Sequence, residues 1–164
     1  MTNENVSKLL NAQINAELYS AYLYWDFAKH FDCKGMKGFA NWYKVQAEEE
    51  IDHARKFYNY MQDQGCYIAL TTIAGPKVET EDHMEIAKLG LKHEKEITKM
   101  INNIYAEAFK NNDYRTMQFL DWFIAEQAEE ETNARDIIGL LKLAGESRSA
   151  LFMADIQMGK RHRA

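Results

Sequence analysis

What most constrains this chain is how little interrupts it: one proline, Pro76, and eight glycines in 164 residues. Strands joined by turns draw on both residue types repeatedly, because glycine supplies positive φ and proline fixes turn angles. With so few breakers the chain is committed to long helices. The apolar spacing agrees. Val6, Leu10, Ile14, Leu18, Ala21, Ala28 and Phe31 recur at helical intervals and predict a first helix over residues 6–31. Phe39, Tyr43, Ala47, Ala54, Phe57 and Met61 predict a second over 36–64, with Gly65 as its stop. Residues 66–80, including Gly75-Pro76, carry neither helical periodicity nor good caps. A third helix starts near Glu81 or Asp82 and runs to Lys110, with Ile86, Gly90, Ile97, Ile101, Ile104 and Ala108 on one side. Acidic residues suit its N-terminus. After an Asn111-Asn112-Asp113 turn, Leu120, Phe123, Ala134, Ile137, Ile138 and Leu141 mark a fourth helix to about residue 143, ended by Gly145. Ser147 can cap a short fifth helix over 148–157, before a basic tail, Lys160-Arg161-His162-Arg163.

Each main helix has about 27 to 30 residues and is on the order of 40–45 Å long. Short links make helices antiparallel neighbours. The long link between the second and third can instead cross from one end of a bundle to the other, since extended chain covers ~3.3 Å per residue. The expected fold is all-α: a four-helix bundle over about 6–143 with one long crossover and a short C-terminal fifth helix. Residues 1–164 are expected to form one domain.

Hydrophobic residues are 46% and charged residues 27%, which excludes a disordered chain. The net charge of −5 argues against a general nucleic-acid binder. No apolar run is long enough for a membrane span. Met1-Thr2-Asn3-Glu4-Asn5 lacks the character of a secretory signal. Cys33 and Cys66 make no disulfide framework and read as free thiols, pointing to the cytoplasm.

The informative residues are acids on apolar faces. Glu17 lies three residues after Ile14 and four before Ala21. Glu50 lies seven after Tyr43 and seven before Phe57, with His53 one turn on. Glu94 falls between Gly90 and Ile97. Gln127 follows Phe123 by four, and Glu130 precedes Ala134 by four. Every long helix thus turns a metal-type ligand inward near its middle. One such glutamate alone is more often a boundary residue or half of a buried ion pair, and a lone buried histidine is more often a hydrogen-bonded core residue. Several at matching depth are different. Desolvating bare carboxylates costs several kcal/mol each, and no basic residue falls on these stripes to offset it. A cation would neutralise them. Glu50 and His53, at i and i+3, face the same way and can share one ion. Oxygen-rich ligation with one imidazole suits iron or manganese better than copper or structural zinc.

Glu17, Glu50-Ile51-Asp52-His53, Glu94 and Glu126-Gln127-Ala128-Glu129-Glu130, with the crossover and fifth helix, resemble a bacterial non-haem ferritin along the whole chain. The resemblance implies a ferritin-like fold, a hollow shell of twenty-four subunits that stores iron, and a di-iron ferroxidase centre in each bundle. It implies that Glu17, Glu50 and His53 hold the first iron. Glu50 then bridges to a second iron completed by Glu94 and Glu130. Gln127 would hydrogen-bond a bound oxygen species or water. Tyr24, two turns after Glu17, would lie beside the centre and supply an electron; from spacing alone a core tyrosine with a satisfied hydroxyl is an equal reading. Trp122 carries a similar suggestion. The fourth helix lacks the second Glu-x-x-His of bacterioferritins, and Ile51 stands where those proteins carry the haem-ligating methionine, so no haem is expected.

The implied reaction oxidises ferrous to ferric iron with O2 or H2O2. Glu126 and Glu129 share a helix face, Glu130 is four beyond Glu126, and Glu49 can approach from the second helix. The resemblance makes these a third iron site on the cavity side. A soluble di-metal oxidase that stores nothing, and a non-catalytic helical bundle with paired or protonated acids, remain alternatives at this level. The apolar residues Leu151, Phe152, Met153 and Ile156 fit either an assembly contact or a fifth helix folded back on its own bundle.

Overall fold

The computed structural model describes residues 3–162; Met1, Thr2 and Arg163, which entered the sequence reading, lie outside them. Five helices follow in order: α1 (Glu4–Cys33), α2 (Lys37–Asp63), α3 (His83–Lys110), α4 (Tyr114–Ala144) and α5 (Arg148–Met158). Among the described residues there is no strand. None of the helices described is long and apolar enough to cross a membrane. The boundaries fall within two residues of those the apolar spacing predicts.

Local chemistry sets the ends. Asn3, Asp82, Asp113 and Ser147 each place a side-chain oxygen on a free amide of the first turn of α1, α3, α4 and α5. Asp82 Oδ1 accepts from Glu85 N at 2.8 Å, for example. Gly35 links α1 to α2 at φ +77°, a left-handed turn that disfavours a Cβ. α2 is the exception, because Met36 offers no capping side chain. Its amide at Phe39 instead donates to Asp155 Oδ1 at 2.9 Å, a carboxylate supplied by α5.

α1 with α2 and α3 with α4 form the two antiparallel hairpins, and α1 also packs on α3. The crossover is pinned along α1. Asn11 bonds Ala69 through both its amide and its oxygen, and Asn15 donates to Thr71 Oγ1 at 2.9 Å. Further on, Lys34 meets Glu81 at 2.6 Å, and His30 meets His83 at 3.1 Å. The long link therefore runs beside α1 toward its C-terminus and starts α3 there.

The core is divided. One apolar compartment takes Val6, Leu10 and Ile14 with Phe57, Met61, Ile101 and Phe123. The other gathers Phe27, Phe31, Phe39, Tyr43, Ile86 and Ile137. Phe57 and Phe123 meet at 4.2 Å between ring centroids, joining α2 to α4. Each buried Phe contributes about 1.5–3 kcal/mol by leaving water. Between the compartments lies a buried polar layer built from Gln13, Glu17, Ser20, Gln46, Glu50, His53, Glu94, Gln127 and Glu130.

The fifth helix folds back on α2 and α4, burying Ala154 and Met158, while Phe152, Met153 and Ile156 stay exposed. Its seat requires Gly38. A Cβ there would stand 1.6 Å from the Asp155 carbonyl oxygen and 2.9 Å from the Gly159 nitrogen. Gly38→Ala is therefore expected to lift α5, lower stability by about 1–3 kcal/mol and speed trypsin cleavage at Lys160 and Arg161. Gly139→Ala, whose Cβ meets nothing within 4 Å, is the control and should lose no stability. Thermal melts of the two variants decide the matter: equal melting points would refute the close-approach argument.

Candidate metal centre

All four long helices place polar side chains in the central layer, at the depth the sequence predicts. The ligand atoms of Glu17, Glu50 and His53 lie within 4.8 Å of one another, and so do those of Glu50, Glu94 and Glu130. Glu50 belongs to both groups. A third group joins His53 and Glu130 to Glu126 on the same criterion. Glu17, Glu50, His53, Glu94 and Glu130 are all at most 3% exposed. Their oxygens and imidazole thus converge on shared volumes rather than on separate ion pairs.

Neutral side chains hold these acids. Gln13 Nε2 donates to Glu17 Oε1 at 2.9 Å. Gln46 Nε2 donates to Glu50 Oε1 and to Glu130 Oε2, both at 2.9 Å, so one amide ties α2 to α4 across the layer. Gln127 Nε2 donates to Glu94 Oε2 at 3.1 Å, which makes it an orienter of a carboxylate. The Tyr24 hydroxyl donates to Glu94, and its ring stacks on Tyr43 at 5.9 Å. His53 Nδ1 sits 3.2 Å from Glu50 Oε2, and its Nε2 sits 3.7 Å from Glu126 Oε1. Trp122 packs edge-on against His53 at 5.5 Å and carries the Lys56 ammonium over its ring. Two buried atoms, Gln13 Oε1 and Glu17 Oε2, have no hydrogen-bond partner. A buried carboxylate oxygen left bare costs free energy unless a proton or cation completes it.

The charge balance is strained in the direction a cation relieves. Burial pushes Glu94 up to about 8, with the Glu50 charge adding to it. Burial likewise drives Glu17 and Glu130 well above the usual carboxylate range, and neighbouring Glu50 raises both further. Glu50 goes the other way: burial would raise it, but its hydrogen bond and charge interaction with His53 hold it low. Burial alone would lower His53, yet hydrogen bonds to Glu126 and Glu50 and the charges of Glu50 and Glu17 push it to about 11. Without metal, burial and the Glu50 charge favour the protonated forms of Glu17, Glu94 and Glu130, and the surrounding acids favour the protonated imidazole of His53.

An outer cleft of about 610 Å³ opens between α2 and α4, lined by Glu49, His53, Trp122, Glu126, Glu129 and Glu130 among others. The acids of the expected outer site thus line one cleft, Glu49 from α2 and Glu126 and Glu129 from α4, but they are not equally placed. Glu126 reaches His53 and Glu130, Glu129 is exposed and joins none of the three groups, and Glu49 is paired with Arg161. On the far flank of α4 a second cleft of about 410 Å³ reaches Gln127 beside Thr98 and Glu131.

Five participants carry no assignment from sequence. Gln13 and Gln46 carried a signal, since each lies four residues before an inward acid. Ser20 Oγ contacts His93 Nε2 at 2.7 Å, and His93 stands beside Tyr19 and Tyr24. Arg161 lies in the basic tail, where no periodicity places it. The sequence left these acids without a basic neighbour; the structure brings one in from the chain end, to Glu49 and Gln46 rather than to the inner carboxylates.

A four-helix bundle with one long crossover and a mid-bundle layer of carboxylates defines the ferritin-like class. The comparisons with known proteins agree. The family model described as "Ferritin: Ferritin-like domain" matches residues 7–144. A "probable bacterial non-heme ferritin-like protein" of Haemophilus influenzae is 36% identical over 159 residues, covering 97% of this chain and 96% of the relative. The "bacterial non-heme ferritin" of Staphylococcus aureus is 34% identical over 161 residues, covering 98% and 97%. Among solved structures, an open-pore ferritin from the archaeon Archaeoglobus fulgidus superposes with a TM-score of 0.96 at 38% identity, covering 99% of this chain and 100% of that one. A humanised archaeal ferritin gives 0.97 at 40% identity, covering 100% and 99%. This chain belongs to the ferritin family.

The proton inventory yields a test. Metal needs ionised carboxylates and a neutral imidazole, so cation binding at pH 7 must expel protons from Glu94 and His53. Affinity for a divalent cation is therefore expected to fall as pH drops from about 8 to about 6. Calorimetry of Zn(II) binding in buffers of differing ionisation enthalpy measures the release directly; a heat independent of buffer would contradict the assignment.

Proposed function

We propose that this chain is an iron-storage ferritin subunit whose bundle oxidises ferrous iron at a paired metal centre. Iron here is substrate and cargo. Glu17, Glu50 and His53 take the first ferrous ion, and Glu50, Glu94 and Glu130 take the second. The observation that carries the reading is the pair of ligand groups sharing Glu50 inside a layer otherwise short of cations. Two adjacent Fe(II) ions supply two electrons together. These reduce O2 with two protons to H2O2, or H2O2 with two protons to two waters. Hard carboxylates favour Fe(III) over Fe(II), which assists the loss of electrons. Gln127 and Tyr24 orient Glu94, and Gln46 holds Glu50 and Glu130.

Glu49, Glu126 and Glu129, with Glu130 shared, form an outer iron subsite that links the centre to the storage cavity. The exposed apolar side of α5, with Phe152, Met153 and Ile156, supports assembly with further copies into a shell of twenty-four subunits. The whole chain acts as one domain, in the cytoplasm, without haem.

The centre is tested by Glu50→Ala and His53→Ala. Each is expected to slow the fast phase of aerobic ferrous oxidation about 10- to 100-fold while leaving the size of the assembled shell unchanged. Stopped-flow absorbance measures the first and size-exclusion chromatography the second. Wild-type oxidation by assembled Glu50→Ala protein would remove the assignment. For the outer subsite, crystals soaked aerobically in ferrous salt should hold three metal peaks per subunit in wild type. Two peaks should remain after Glu49→Ala, Glu126→Ala and Glu129→Ala together. Three in both would leave the outer subsite without support.

A further inference from the structure

The outer cleft already contains a cation supplied by the chain itself. After α5 the backbone passes back over α2, where Asn41 Nδ2 donates to the Arg161 carbonyl at 3.0 Å. The Arg161 guanidinium lies over the Trp42 ring, 4.1 Å from its centroid. Its Nη1 donates to Gln46 Oε1 at 2.8 Å, and its Nη2 pairs with the Glu49 carboxylate. The side chains of Arg161 and Glu49 are only 18% and 21% exposed. Four residues of α2 thus fix a single arginine through its backbone, its flat face and its donor edge. A guanidinium stacked and hydrogen-bonded in this way loses less on ordering than a loose surface ion pair.

Two features give this placement a consequence. First, the partner is Glu49, which the outer subsite needs as a ligand. A carboxylate held by the guanidinium offers a metal ion less charge and fewer free lone pairs. The lysine of the cleft does not compete, since Lys56 sits over Trp122. Second, Gln46 faces both ways. Its oxygen accepts from Arg161, while its nitrogen donates to Glu50 and Glu130. Gln46 therefore stands between Arg161 and two acids of the inner layer, and its bonds to those acids use a different atom from its bond to Arg161.

We propose that Arg161 is a tethered counter-ion of the outer cation subsite, holding Glu49 until an incoming divalent cation displaces it. The inference rests on the outer-subsite reading of Glu49, Glu126 and Glu129. Displacement makes the outer subsite the weakest of the three, so that the inner pair fills first. It also keeps Glu49 neutralised while no metal is present. When Arg161 leaves, Gln46 loses its donor but keeps its two bonds to Glu50 and Glu130. Arg161 is a positioning residue: it reaches no inner ligand directly.

The test uses redox-inert Zn(II) titrated into the assembled, metal-free shell, with site-resolved occupancies from anomalous diffraction. Arg161→Ala is expected to bind outer-subsite Zn(II) about 10-fold more tightly than wild type, which corresponds to about 1.4 kcal/mol, with the inner affinities unchanged. Arg161→Lys keeps the charge and should lie nearer to wild type, an outcome that loss of packing alone would not give. Equal or weaker outer binding in Arg161→Ala overturns the inference, and it leaves the subsite standing if Glu49→Ala with Glu126→Ala and Glu129→Ala binds more weakly than both. If that triple variant matches wild type, also when combined with Arg161→Ala, the outer subsite itself fails and the inference with it.

Discussion

Four carboxylates buried in the middle of a helical bundle, with one imidazole among them, set the terms for the rest of this molecule. Glu17, Glu50, Glu94 and Glu130 come from four different helices and meet where an apolar layer would otherwise continue. Unpaired, each would cost several kcal/mol of desolvation. The two apolar compartments on either side supply what offsets that cost. They hold the helices in register through ring contacts such as Phe57 on Phe123 and Phe31 on Phe39. Stability is thus concentrated at the two ends of the bundle, and chemistry at its centre.

Within the centre, neutral amides do most of the positioning. Gln13, Gln46 and Gln127 donate to Glu17, to Glu50 with Glu130, and to Glu94 respectively. An amide fixes a carboxylate without adding charge, so it leaves the electrostatic demand for a cation intact. A lysine in its place would satisfy the acid and close the site. This explains how the layer can be ordered and still hold carboxyls whose proton affinity is raised by burial.

The C-terminal segment is tied to α2 at two places. Asp155 caps α2 where that helix has no cap of its own, and the absence of a side chain at Gly38 lets α5 come close enough to do so. The chain then arrives at the outer cleft with Arg161 in reach of Glu49. The start of α2, the seat of α5 and the charge in the cleft are one arrangement. A change at Gly38 should be felt at Glu49, some three turns away along α2.

The sequence by itself determined the helices, their order, the crossover and the inward acids. Period and breakers are local properties: the spacing of Ile14, Glu17 and Ala21 puts them on one face whatever the neighbours do. Hence the apolar spacing locates the boundaries to within two residues and puts Glu17, Glu50, His53, Glu94, Gln127 and Glu130 on inward faces, where all six are buried. Tertiary structure alone decided which acids share an atom's reach, which amide serves which carboxylate and where the tail goes. Helical spacing sets Glu129 beside Glu126, and it lines the same outer cleft, yet it is exposed and joins no ligand group. Gln127 donates to Glu94 across the α3–α4 interface, a partner that spacing along one helix does not name. Asp155 on Phe39, 116 residues apart, and Arg161 on Glu49, 112 apart, leave no periodic trace. Such contacts depend on how separate helices cross, and that is fixed only when their side chains pack.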